Sequence, residues 1–177
     1  MAELTELHGN EIAAALIPTT VTLITACDEN GNDKVATIAW VMPISHEPSL
    51  IAVAIRPGGL TSSAMASSGC FVVNVLPADG AQMAIVCGKK SGVDDRVAQA
   101  GLELSLARRV AACRVEQAVS WIECELVEHR IYGDHELFIG RTLVAETRGQ
   151  LDGQGKLIPE RPLLMGQRGR FGHFKED

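Results

Sequence analysis

The sequence lacks an excess of positive charge. Its 16 lysine and arginine residues stand against 22 aspartate and glutamate residues, which gives a formal net charge of -6 and an isoelectric point near 5.4. A surface that attracts a polyanion through bulk charge needs the opposite balance. The composition therefore argues against a nucleic-acid-binding protein, and we expect no nucleic acid among the partners.

Sequence features of secreted and membrane proteins are also missing. The five cysteines contain no CxxC pair, and the amino terminus shows no basic stretch followed by an apolar one. The longest uncharged stretch, residues 57–78, could span a bilayer by length, but it contains three glycines, two prolines and an asparagine. We therefore expect a cytoplasmic protein with reduced thiols and no membrane span.

Several catalytic motifs are absent as well. Residues 88–91 lack the upstream glycine of a phosphate-binding P-loop, and the chain has no GxGxxG after a strand, no HExxH and no GxSxG. The spacings of Cys113, Cys124, His129 and His135 match no common zinc pattern. Kinase, zinc protease and esterase functions are therefore disfavoured, and we predict no metal site.

What the sequence does contain is a set of short apolar segments typical of strands. A chain of 177 residues with 46% apolar residues can bury one core, so we predict a single domain over residues 1–177. Strands are predicted at 20–27, 34–41, 49–55, 70–76, 119–126 and 137–144, and short helices at 11–16, 61–68, 78–88 and 93–100. This order favours an antiparallel sheet that closes into a barrel, with a doubly wound parallel sheet as the alternative.

The charge pattern singles out one arginine. Between Pro48 and Ala78, Arg56 is the only charged residue, and it precedes a Gly-Gly turn and the predicted helix that begins at Thr61. A guanidinium beside a helix amino terminus and several hydroxyls has the components of an anion site, and a phosphate would fit it. The alternative is that Arg56 extends to water or pairs with a distant carboxylate.

A second stretch combines a strand end with a loop bracketed by prolines. The small residues Thr37 and Ala39 would let a flat ligand approach the backbone, whose N–H groups could donate to it, and Ser45 could add a hydroxyl. The alternative is an ordinary strand end with Trp40 in the core.

One cysteine has positively charged neighbours in the sequence. Cys87 precedes Gly-Lys-Lys, and these lysines could lower the pKa of its thiol.

Taken together, these stretches resemble the flavin reductase-like, FMN-binding split-barrel family, particularly its flavoredoxin-like branch. The resembling segments are 18–26, 35–45, 48–56, 68–76 and 133–140. The resemblance spans most of residues 18–147, which would form the core of the domain, and leaves a Gly/Arg-rich extension over residues 150–177. Residues 57–60 depart from the family, whose members often carry a bulkier basic or aromatic residue there.

The resemblance implies a mainly β fold, namely a six-stranded antiparallel split barrel with short flanking helices. It also implies a homodimer with FMN bound near the subunit interface. The implied cofactor-binding residues are Thr37, Ile38, Ala39 and Trp40 along the isoalloxazine, Ser45 near the ring or ribityl chain, Arg56, Thr61 and Ser62 at the phosphate, and Asn74. Asn74 is either ribityl-facing or a structural amide.

His135 is the one implied catalytic residue. It matches a histidine that in reductases lies near the pyridine nucleotide or the flavin, and its alternative role is that of a turn residue. The implied activity is hydride transfer from NADH or NADPH to flavin N5, followed by electron transfer to free flavin, ferric iron or a partner protein. The alternatives are a non-enzymatic FMN electron carrier between redox partner proteins and a structural homodimer without cofactor.

Overall fold

The computed structural model describes residues 4–89, 96–166 and 169–173, and most of its regular structure is β. Its helices are a 3-10 helix (Gly9–Leu16), α1 (Leu60–Ser68), α2 (Ala81–Cys87) and α3 (Arg96–Gln99). Its strands are β1 (Thr19–Thr20), β2 (Thr22–Cys27), β3 (Asp33–Ile38), β4 (Val41–Ser45), β5 (Leu50–Ile55), β6 (Cys70–Val75), β7 (Leu104–Leu106), β8 (Cys113–Val115), β9 (Ser120–Tyr132), β10 (His135–Thr147), β11 (Gly149–Leu151), β12 (Leu157–Pro159), β13 (Leu164–Met165) and β14 (Phe171–Gly172).

Seven of these strands form the main sheet, in the order β3-β2-β6-β9-β10-β5-β4. All neighbouring pairs in it are antiparallel, so the doubly wound parallel alternative is wrong. Three smaller sheets join β1 with β13 and β14, β7 with β8, and β11 with β12. The last of these is a hairpin around the Asp152-Gly153 turn in the Gly/Arg-rich extension.

The sheet curls because its two edges are joined by only two residues. The edge strands are β3 and β4, and Ala39 and Trp40 connect them directly. Seven flat strands would place the edges about 29 Å apart, whereas the three Cα steps from Ile38 to Val41 span at most about 11 Å. The sheet must therefore roll up, and the backbone N–H of Ala54 on β5 donates to the carbonyl of Trp40 at 2.9 Å, which extends the pairing of β4 with β5 into this link.

Two apolar clusters fill the interior. The first lies inside the rolled sheet, where residues of β2, β5, β6 and β10 pack around the side chains of α1; its fully buried members include Phe71, Phe138, Met65, Ile24 and Val53. The second lies under α2 and joins β2 to the carboxyl-terminal segment; it includes Leu23, Leu76, Val115 and Leu163. The carboxyl-terminal segment is thus packed against the barrel through Leu163.

The prediction of a mainly β split barrel with short helices is confirmed. The sheet has seven strands rather than six, because residues 42–45, predicted as part of a loop, form β4 together with Val41 at an edge where Pro43 is tolerated. The leading helix is a 3-10 helix that begins at Gly9. Residues 93–95 of one predicted helix lie outside the described residues, and the remainder corresponds to α3. Among the described helices none reaches the length and hydropathy of a membrane crossing.

Candidate functional site

The register of the sheet places Arg56 opposite His135. Glu136 on β10 pairs with Ile55 on β5, so the next antiparallel position brings Arg56 beside His135. The Arg56 side chain is exposed, and it makes no hydrogen bond or ion pair with the residues that the structure describes. Its charge is felt by Asp134, whose pKa it helps to lower. Within the described part of the chain, Arg56 therefore does not form the ion pair with a distant carboxylate that was its alternative.

Asp134, His135 and Trp40 form the rest of this site. The Asp134 Oδ1 and His135 Nδ1 atoms lie 2.8 Å apart, and the His135 and Trp40 rings lie 4.6 Å apart between centroids, tilted by 35°. The hydrogen bond from His135 is the main cause of the lowered pKa of Asp134, to which the charge of Arg56 adds. We call Trp40, Arg56, Asp134 and His135 the open cluster.

Trp40 lies outside the core. Its side chain is 48% exposed, because residues 39–40 cross from one sheet edge to the other and leave the indole on the outer side. The alternative of a buried Trp40 is therefore wrong. The side chain places an aromatic surface at the barrel seam, next to the imidazole that the hairpin of β9 and β10 presents.

The other residues of this stretch use their polar groups within the fold. The Thr37 hydroxyl donates to the carbonyl of Ala84 at 2.7 Å, and the carbonyl of Ile38 accepts from the Thr22 hydroxyl at 2.7 Å. Ala39 is partly exposed at the seam. Since β3 is an edge strand, alternate backbone N–H groups face away from β2. Any ligand contact from residues 37–40 therefore comes from the backbone and the Trp40 ring.

Ser45 lies away from the open cluster. It is the last residue of β4 and pairs with Leu50, and about 16 Å of extended chain separates it from Trp40. The structure therefore does not bring Ser45 together with Arg56 and His135.

The amino terminus of α1 lies close to Arg56 in sequence. Gly58 has a φ of 75°, and a Cβ there would meet nothing within 4 Å, so the turn is open on its outer side. The Ser62 hydroxyl accepts from the Gly59 N–H at 3.1 Å and donates to the Gly59 carbonyl at 2.9 Å. Ser62 thus caps the helix with the hydroxyl that was predicted to contact a phosphate.

Thr61 lines a separate cleft. The side chain is 3% exposed, and the cleft beside it is bordered by Lys34, Arg96 and Val97 among other residues, while Arg56 is not among them. Of the three residues predicted to contact the phosphate, only Arg56 therefore belongs to the open cluster. Thr61 lies in the first turn of α1, where the first backbone N–H groups have no acceptor within the helix.

Asn74 takes the structural alternative. It is fully buried, its Nδ2 donates to the carbonyl of Leu23 at 3.0 Å and to the Thr25 hydroxyl at 3.1 Å, and its Oδ1 accepts from the Val115 N–H at 2.8 Å. The amide ties β2 and β6 to β8 and keeps no donor for a ligand. The assignment of Asn74 as a cofactor-binding residue is corrected accordingly.

Sequence reasoning missed a second group of charges, which we call the closed cluster: Arg108, Arg114, Glu123 and Glu146. Glu123 is 0% exposed and accepts from the backbone N–H groups of Arg108 and Arg109 at 2.8 and 2.7 Å. Arg114 contacts Glu123 and Glu146, each at 2.6 Å. Glu123 alternates with apolar residues along β9, as a surface glutamate would, but the backbone of Arg108 and Arg109 lies over its carboxylate.

The cysteines of the structure are free thiols. Burial raises the pKa of Cys87 to about 11 and that of Cys124 to about 12. The expectation of a lowered pKa at Cys87 is therefore wrong, because loss of hydration outweighs the nearby Arg96 charge. These thiols are structural members of the two apolar clusters.

Comparison with known proteins identifies relatives of the whole fold. A family model described as "Flavin reductase like domain" matches residues 14–173. An uncharacterised protein of Pyrococcus abyssi is 31% identical over 104 residues, which cover 59% of this chain and 60% of that protein. The NADH-dependent FMN reductase AsuE2 of Streptomyces nodosus subsp. asukaensis is 30% identical over 130 residues, which cover 73% of this chain and 69% of the relative.

A solved structure shows the same fold at lower identity. The flavoredoxin of Methanosarcina acetivorans superposes with a TM-score of 0.84 at 22% identity, over 99% of this chain and 94% of that one. The chain therefore shares its architecture with that protein over nearly its full length, while it spans 60% of the length of the Pyrococcus relative.

Proposed function

The chain belongs to the flavin reductase like domain family, and from that membership we propose that it binds FMN and reduces flavin with electrons from NADH or NADPH. The observation that carries the proposal is the open cluster. It combines an exposed guanidinium that no described residue pairs with and a contact between the indole of Trp40 and the imidazole of His135. A cation beside flat rings suits a ligand that carries both a phosphate and a planar ring system.

The phosphate end of FMN fits the donors that the chain offers. Arg56 has five N–H donors in a planar fork, and Asp134, the carboxylate whose pKa the Arg56 charge helps to lower, is solvent-exposed. The turn at Gly58 leaves open space, and the positive end of the nine-residue helix α1 follows directly. We therefore assign Arg56 and the first N–H groups of α1 to the phosphate.

The ring end fits the seam of the barrel. Residues 37–40 would offer backbone N–H groups, because the Thr37 hydroxyl is already bonded to Ala84. Trp40 would cover part of the ring system with its exposed indole. Ser45 and Asn74 stand outside this assignment, since one lies at the far end of β4 and the other has its amide engaged.

Bound FMN supplies the electron chemistry between a reduced nicotinamide and a later acceptor. The chain itself binds and orients the reactants and keeps water from them. His135 can hold or release a proton at Nε2, because Nδ1 faces Asp134. The AsuE2 relative, whose name specifies NADH and FMN, supports the same pairing of donor and flavin.

We further propose that the protein is a homodimer. On the outer face of the sheet, Met42 pairs with Ala52, which also pairs with Ile139, and these side chains point away from the core. Met42 and Ile44 are exposed, and the open cluster adjoins them through Trp40. An apolar sheet face of this kind suits a second copy. Light scattering of the wild type and of Met42→Glu tests this, with a dimer expected for the former and dissociation for the latter.

The reductase proposal is tested by mixing the purified protein with FMN and either NADH or NADPH. The loss of absorbance of the reduced nicotinamide measures its oxidation. Oxidation well above the rate with FMN alone supports the proposal. Oxidation of neither nicotinamide above that rate overturns it. If the protein then retains FMN through gel filtration and is reduced only by a redox partner protein, its function is that of an electron carrier.

A further inference from the structure

Asp134 is the member of the open cluster to which the proposed function gives no task. We propose that Asp134 is a positioning residue, which holds the His135 imidazole through Nδ1 and leaves Nε2 as the nitrogen that faces bound ligand. This inference rests on the proposed function, because it assigns a partner to the histidine of that site.

The hydrogen bond fixes the position of a proton. A carboxylate can only accept, so the 2.8 Å contact between Asp134 Oδ1 and His135 Nδ1 requires a proton on Nδ1. A neutral imidazole with its proton on Nδ1 carries its lone pair on Nε2. Because the in-plane directions of the two ring nitrogens diverge widely, the Nε2 lone pair points away from the carboxylate. The His135 side chain is only 20% exposed, so the ring is held against the protein.

The Trp40 contact supplies the second restraint. The indole approaches the imidazole at 4.6 Å between centroids and comes from the barrel seam, whereas Asp134 comes from the turn between β9 and β10. A hydrogen bond at Nδ1 limits rotation about the Cα–Cβ bond, and a ring against one face limits rotation about the Cβ–Cγ bond. Two segments that lie far apart in the sequence therefore restrain one side chain.

Asp134 is a carboxylate at neutral pH, as an ordinary aspartate is. The hydrogen bond from His135 lowers the pKa of Asp134, and the Arg56 charge lowers it further. Asp134 therefore stays an acceptor into more acidic solution than an ordinary aspartate does. The turn that carries it is set by Gly133, whose φ of 61° favours glycine. Asp134 thus interacts with both predicted residues: it bonds to His135, and its pKa responds to the charge of Arg56.

The direct test is nuclear magnetic resonance of the flavin-free protein, labelled with ¹⁵N and assigned with His135→Gln. We expect wild-type His135 to show the tautomer with the proton on Nδ1. Asp134→Ala should shift it toward the Nε2-protonated form, which dominates for histidine in water. Asp134→Asn retains an acceptor oxygen and should keep the wild-type tautomer. Glu128→Ala, which removes a charge from the same hairpin and face, is the matched control and should change nothing.

Steady-state kinetics form the second part of the test. Asp134→Ala should lower kcat by about 10-fold to 100-fold without a rise in the KM for FMN, and Asp134→Asn should recover most of the rate. A wild-type His135 protonated on Nε2, or an Asp134→Ala spectrum identical to wild type, overturns the proposal. So does a rise in KM alone. The spectra are taken without flavin, so an absence of reductase activity would contradict the proposed function and leave the tautomer result standing.

Discussion

The closed cluster and the open cluster both place an arginine near a carboxylate, yet their environments differ. In the closed cluster, Glu123 is fully buried and accepts two backbone N–H groups as well as the Arg114 guanidinium. In the open cluster, Arg56 makes no hydrogen bond with the described residues, and the Asp134 side chain is 75% exposed. The comparison shows that charges satisfied within the chain hold the fold, whereas a charge left to solvent is available to a ligand.

The sharpest way to break the closed cluster is Glu123→Gln. The change removes the fully buried one of the two carboxylates that the mostly buried Arg114 contacts, and we expect the free energy of unfolding to fall by about 3–5 kcal/mol. Urea denaturation followed by circular dichroism measures it. Glu125→Gln is the control, because Glu125 pairs with Arg141 at the surface and its loss should cost less than about 1 kcal/mol. Equal losses of unfolding free energy in Glu123→Gln and Glu125→Gln would mean that the buried ion pair stabilises the fold no more than the surface pair does.

The corresponding change in the open cluster is Arg56→Ala. Loss of a charge-assisted hydrogen bond to phosphate should weaken FMN binding by about 1.5–3 kcal/mol. The free energy of unfolding should stay within about 0.5 kcal/mol of wild type. Titration of flavin fluorescence gives the affinity. Arg130→Ala, an exposed arginine of the neighbouring hairpin, should bind FMN as wild type does, and an unchanged affinity in Arg56→Ala would remove Arg56 from the site.

Salt should separate the two clusters with a smaller effect. An exposed guanidinium is screened by ions, whereas a buried pair is screened much less. Raising the chloride concentration should therefore weaken FMN binding several-fold while the stability difference between wild type and Glu123→Gln stays nearly constant. Flavin titrations and urea curves at matched salt concentrations provide both numbers. Salt-independent FMN affinity would contradict a phosphate contact at the surface.

The smallest expected effect is a pH dependence of the stability that Glu146, the partly exposed carboxylate of the closed cluster, contributes to the fold. The hydrogen bond from Arg114 is the main cause that holds the pKa of Glu146 below its ordinary 4.5, and Arg108 adds to it. A carboxylate with a lowered folded-state pKa stabilises the fold above its unfolded-state pKa and loses that contribution as the pH falls through the folded-state value. The stability difference between wild type and Glu146→Gln should therefore shrink below about pH 4.5. Urea curves at several acidic pH values would show a constant difference if the pairing contributes nothing.

Local sequence information was enough for most of the fold and for one residue of the site. Alternation and turn residues predicted six of the seven main strands, although β9 and β10 extend beyond the predicted ranges 119–126 and 137–144. Arg56 stood out because it is the only charge in a long uncharged tract. Both signals lie within a few residues of the feature they predict.

Contacts between distant segments account for what the sequence did not reveal. Nothing near Glu123 indicates that residues 108–109 will lie over it. The meeting of Trp40 with His135 depends on the register of β5 against β10 and on the two-residue link at the seam. Asn74 likewise finds its acceptors and donor on β2 and β8. Tertiary packing decides each of these positions.

The two-residue link between β3 and β4 has a consequence for how activity is acquired. Trp40 belongs to the segment that closes the barrel, so a chain that has not yet rolled up its sheet has no place for the indole beside the imidazole. Closure and assembly of the working surface are then one event, and a partly formed barrel would be inert rather than weakly active.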